Sequence, residues 1–114
     1  MKRTSSQAAT PYPDAPAHLS ERAAGLWREL GPNRADTTGR RILFLAALEA
    51  LDRAEEARAI IRAEGLTSKT PATGTLHVHP AAKVEREARA QFASLWGQLG
   101  LDRKDVTTFQ RFRN

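Results

Sequence analysis

A chain of 114 residues supports one modest core, so self-association is a natural way for it to bury further apolar surface. Eighteen Lys and Arg against thirteen Asp and Glu leave a net charge of +5 and an isoelectric point near 10.4, a balance that favours a polyanionic partner such as nucleic acid. The lack of cysteine excludes disulfides and thiolate chemistry, and no run approaches the roughly 20 apolar residues a membrane-spanning helix needs.

Taken in order, residues 1–17 read as a disordered arm. Lys2 and Arg3 are followed by small and polar residues and then by Pro11, Pro13 and Pro16, which is not a secretory signal. Ser20 is a good N-cap, and Leu19, Ala23, Leu26, Trp27 and Leu30 fall on one face of a helix over about residues 20–30. Gly31-Pro32 is expected to end that helix, with Trp27 as a core anchor.

After a short polar connection, Asp36, Thr37 or Thr38 can cap a second helix over about residues 37–64, stopped by Gly65. The run Ile42-Leu43-Phe44-Leu45-Ala46-Ala47-Leu48 is apolar nearly all round, which predicts burial by other elements or by neighbouring subunits. The later charges, including Arg58 and Arg62, read as a solvated face. Arg40 and Arg41 stand beside Arg34 at the helix start, where cations oppose the helix dipole, and that placement suggests a role beyond solvation.

Residues 66–79 form a turn-rich loop in which Thr75 to His79 alternates enough for an extended or hairpin strand. Pro80 then suits the first turn of a third helix over about residues 80–99. That helix is expected to bury Val84, Ala88, Phe92, Leu95 and Leu99, with Lys83, Glu85, Arg86, Glu87 and Arg89 opposite, and to end at Gly100. The sequence thus predicts an all-α fold of three main helices in a domain spanning residues 18–101. A basic tail follows over residues 102–114, where Phe109 and Phe112 allow a short C-terminal helix.

No catalytic constellation is present. There is no glycine-rich phosphate cradle, no serine nucleophile elbow and no HExxH helix, so the chain is expected to be no enzyme and to need no cofactor. His77 and His79 would share one side of a strand, but two ligands fall short of the roughly four that structural zinc takes.

Several short patterns nevertheless stand in a distinctive order. Pro16-Ala17-His18-Leu19-Ser20 leads into the helix carrying Ala23 and Trp27. A long Leu- and Ala-rich helix follows and ends at Glu64-Gly65-Leu66. Then come a loop closing on His79-Pro80 and a helix ending in Leu99-Gly100-Leu101. From about Pro16 to Leu101 the chain resembles the small-subunit family of tailed-bacteriophage terminases. After Leu101 it departs from the family pattern, with Asp102-Arg103-Lys104-Asp105 where relatives often have a proline and an arginine-containing turn.

The resemblance implies a non-catalytic subunit of the genome-packaging motor. It would form a homo-oligomeric ring, engage double-stranded viral DNA and present that DNA to the terminase large subunit in the cytoplasm of the infected bacterium, with no membrane involved. Under that reading Arg34, Arg40, Arg41, Lys69, Lys83, Arg86, Arg111 and Arg113 are the expected phosphate contacts, because they lie at helix ends, in the loop or on the tail. A helix-turn-helix regulator built on the first two helices is the alternative, and an interaction scaffold with incidental charge is a third reading.

Overall fold

A computed structural model describes residues 11–103 of the chain. The elements are α1 (Glu21–Arg34), α2 (Thr38–Glu64), β1 (Thr67–Lys69), β2 (Leu76–Val78) and α3 (Pro80–Gln98). The three helices and the loop between the second and third are those expected, and the loop is an antiparallel two-stranded hairpin. The ends of the chain, at residues 1–10 and 104–114, lie outside the described residues. With them lie the expected C-terminal helix and the expected DNA contacts Arg111 and Arg113.

Local chemistry sets the helix starts. The Ser20 hydroxyl accepts from the Ala23 N–H, and Thr37 is the residue chosen from the three candidate caps of α2, accepting from Arg40. At α3 the cap is His79. Its Nδ1 accepts from the Ala81 N–H while Nε2 lies 2.7 Å from Glu64 Oε1, so the proton sits on Nε2 and points at the carboxylate. Gly65, at φ +89°, ends α2 in a conformation open to glycine at no steric cost.

Gly31-Pro32 does not end α1, which continues to Arg34. The reason lies in the segment before it. Tyr12 lays its ring over Gly31, where a β-carbon would collide with it, and donates its hydroxyl to the Ala35 carbonyl at 2.8 Å. Gly31 is therefore a slot, not a stop. The Trp27 indole donates to the Pro13 carbonyl at 2.8 Å, so described residues 11–17, which composition assigns to a loose arm, lie along α1.

Burial raises the Tyr12 phenol above its usual pKa, against the lowering pull of Arg41, and the hydroxyl stays a donor across the neutral range. Replacing Gly31 by Ala is expected to cost about 1–2 kcal/mol through overpacking. The same change at Gly25, where no atom lies within 4 Å of the new methyl, should gain about 0.5–1 kcal/mol from helix propensity. Thermal melts of the two variants should move in opposite directions.

The core joins all three helices. Phe44 stacks on Trp27 with ring centroids 5.8 Å apart and meets Trp96 at 6.3 Å, with Leu19, Ala23, Leu48 and Leu99 packed around them. Helices α2 and α3 run antiparallel. Small side chains on α2 (Ala47, Ala50, Ala54, Ala57) let the helices approach closely, and Ile61 meets Ala81 near the hairpin.

The buried stripe of α3 differs from the expected one. Val84 is 46% exposed, and Glu85, assigned to the solvent face, is buried between Ala81 and Ala88. Glu85 lies inside because Arg58 Nε and Arg89 Nε sit 3.0 and 3.1 Å from its Oε2, neutralising the carboxylate. The carboxylate in turn holds the Arg89 guanidinium above its usual pKa. Arg89 and Arg22 both reach Glu55, so the charge chain ties α1, α2 and α3 together.

Candidate nucleic-acid interface

The expected phosphate contacts among the described residues separate into two groups at opposite ends of α2. That helix has 27 residues and is about 40 Å long.

At the first end, Arg34, Arg40 and Arg41 are occupied by the protein itself. Arg40 Nε donates to the Arg34 carbonyl at 2.8 Å and its Nη2 to the Leu99 carbonyl at 2.7 Å. Arg34 Nη2 donates to the Gly100 carbonyl at 3.2 Å. These carbonyls close the C-terminal ends of α1 and α3, where the helix dipole is negative and backbone acceptors lack intrahelical partners. The cations that look misplaced at the start of α2 are thus well placed for its two neighbours. Arg41 stacks over the Tyr12 ring, 5.6 Å from its centroid.

This end also weakens the helix-turn-helix reading. A recognition helix presents free side chains from its N-terminal turns, whereas Arg40 and Arg41 are engaged and Phe44 and Leu48 are fully buried.

At the second end, the cations are exposed. Lys69 stands on β1, and Lys83 and Arg86 on the first two turns of α3. Lys83 approaches Glu87 at 3.9 Å, but both side chains are mostly in water and the pair holds neither firmly. Arg86 makes no ion pair among the described residues. Arg62, read from sequence as ordinary solvated charge, sits exposed in the last turn of α2 and joins this group. Its distinguishing feature in sequence is only proximity to Gly65 and the loop. Four cations on three elements thus lie toward the hairpin end of α2.

His77 and His79 do not form a pair of ligands. His77 hydrogen-bonds Thr70 on the hairpin, and His79 is the cap of α3 bound to Glu64. No group of three or more His, Cys, Asp or Glu side chains is placed to hold a metal ion among the described residues. Two carboxylates on α2 are also internally engaged. Asp52 accepts from both the Ser20 N–H (2.9 Å) and the Ser20 hydroxyl (2.6 Å), and His18 Nε2 lies 2.7 Å from Glu49. These contacts fasten the start of α1 to α2. No helix among the described residues is long and apolar enough to cross a membrane.

The model of the family described as "Phage terminase, small subunit" matches residues 24–110. No curated protein and no solved structure matches the chain.

Proposed function

Because the chain belongs to the phage terminase small-subunit family, we propose that it is the non-catalytic DNA-binding subunit of a genome-packaging motor. It assembles as a homo-oligomeric ring, engages double-stranded viral DNA, and presents it to the large subunit that carries the ATPase and nuclease. This work takes place in the cytoplasm of the infected bacterium.

The observation that carries DNA engagement is the exposed cation group at the hairpin end, formed by Arg62, Lys69, Lys83 and Arg86. These side chains can move to meet phosphates without surrendering a structural hydrogen bond, which Arg34 and Arg40 cannot do. Lys and Arg contacts of this kind release condensed counterions and carry little sequence information. Arg41, stacked on Tyr12, contributes positive potential more than direct contact.

Gel-shift titration of duplex DNA across a salt series tests the reading. The wild-type affinity is expected to fall steeply between 50 and 200 mM salt. Replacing Lys69, Lys83 and Arg86 together by Ala should reduce the slope of log K against log salt by roughly 2.7, at about 0.9 for each phosphate no longer neutralised. Circular dichroism should remain that of the wild type, since none of the three supports the core. A triple variant with the wild-type slope would remove these residues from the interface, and a wild-type chain that binds no DNA at low salt would leave the scaffold reading.

A further inference from the structure

The described residues around the hairpin do not explain its stability. Two short strands are marginal in water unless a third strand or a helix covers one face. Here each strand has three residues, all exposed. Thr67 pairs with Val78 and Lys69 with Leu76, which puts these four side chains on one face. Leu76 is 60% exposed and Val78 62% on that face. Leu66, Ile60 and Val84 are exposed close by, so five of the six large exposed apolar side chains among the described residues gather at this end of the molecule.

Among the described residues both strand edges are open as well. The bonds from Thr70 N–H to the Thr75 carbonyl and from His79 N–H to the Leu66 carbonyl fix which residues bond inward. By alternation, the backbone groups of Thr67 and Lys69 point out from β1, and those of Leu76 and Val78 point out from β2. Each edge therefore offers two outward residues at the same two-residue spacing.

We infer that a second copy of this chain covers the hairpin, the β2 edge of one subunit pairing with the β1 edge of the next to build a continuous antiparallel sheet between subunits. The inference rests on the ring-forming reading above and gives it a contact. A partner of another sequence would satisfy one edge and leave its opposite open, whereas a copy satisfies both in every subunit. Rotation about a common axis sets β2 of one hairpin beside β1 of its neighbour in opposite directions, and closure leaves no free edge. Charge permits the arrangement. With strands about 4.8 Å apart, successive Lys69 residues recur roughly every 9.6 Å, beyond the screening length of about 8 Å at physiological salt. Their stems would lie over the apolar neighbours and their ammonium groups would form one row on the sheet face.

Solution mass by light scattering tests this on the full chain. The wild type is expected at a multiple of 12.6 kDa. The double variant Leu76→Lys, Val78→Lys should fall to the mass of one chain while keeping its helical circular dichroism. Ile42→Lys, an exposed apolar position at the opposite end of α2, should keep the wild-type mass. If the double variant loses helicity, Thr67→Pro replaces it, removing an outward donor while leaving the inward hydrogen bonds of the hairpin intact. An assembled double variant, or an assembled Thr67→Pro where that is used, overturns the inference and leaves the ring reading standing; assembly with DNA binding lost assigns the hairpin to DNA instead. A wild-type chain that is itself a monomer removes the ring reading and this inference together.

Discussion

Replacing Phe44 by Ala is expected to cost about 3–5 kcal/mol, the range for emptying a fully buried aromatic site. The site has little means of collapsing. Trp27 from α1 and Trp96 from α3 both rest on the Phe44 ring, and each is held by its own neighbours, Trp27 by Pro13 and Tyr12, Trp96 by Phe92. A void there therefore strips packing from two helices at once. Domains of this size have total stabilities of about 5–15 kcal/mol, so the variant should melt at least about 12 °C lower, taking 4–8 °C per kcal/mol. Phe44→Leu, which returns much of the volume, should recover most of the loss. The check is thermal and urea unfolding followed by circular dichroism, and a loss below about 1 kcal/mol would mean that Phe44 does not join the three helices.

Arg40→Ala is expected to lower stability by about 2 kcal/mol and to leave the salt dependence of DNA binding nearly unchanged. A charged hydrogen bond contributes about 1.5–3 kcal/mol, and because Arg40 is only half-buried its two bonds together are expected to contribute no more than one well-buried bond does. The guanidinium spans two carbonyls on different helices with its Nε and Nη2, a fork that a single ammonium cannot reproduce, so Arg40→Lys should restore only part of the loss. Urea unfolding and the salt series together decide the matter. Unchanged stability with a slope reduced by about one would place Arg40 on a phosphate instead of on the carbonyls of Arg34 and Leu99.

Much of the fold was legible because its local chemistry is self-contained. Ser20, Gly65 and the His79-Pro80 step set helix ends by bonds within a turn of themselves, and the spacing around Trp27 identifies its face without outside help. The misreadings share a different cause. Gly31-Pro32 carries a stop pattern, and only a ring arriving from Tyr12 turns it into a packing slot. On α3, stripes through Val84 and through Glu85 differ by one position, and hydropathy prefers valine. The choice is made by Arg58, 27 residues away, which makes the carboxylate tolerable inside. The same limit applies to the cations. Sequence position marks Arg40 at a helix start and Lys69 in the loop alike as candidate phosphate contacts, while the difference between a residue bound to carbonyls and one open to solvent arises from tertiary pairing.

The arrangement of these pairings also implies an order of assembly. Contacts between α2 and α3 begin beside the hairpin, where Ile61 meets Ala81, and proceed outward through Arg58–Glu85 and Arg53–Gln91 to Phe44–Trp96. Each new contact closes a loop only slightly longer than the last, so the pair can zip up from its turn at small entropic cost. The first helix closes on α2 by a route of the same kind, from Trp27–Phe44 beside their short connection out to the Ser20–Asp52 clamp. Its seam with the rest of the molecule is nonetheless much smaller than the one α2 and α3 share. The same helix is the part that should open first in the native protein, leaving the hairpin of α2 and α3 intact beneath it.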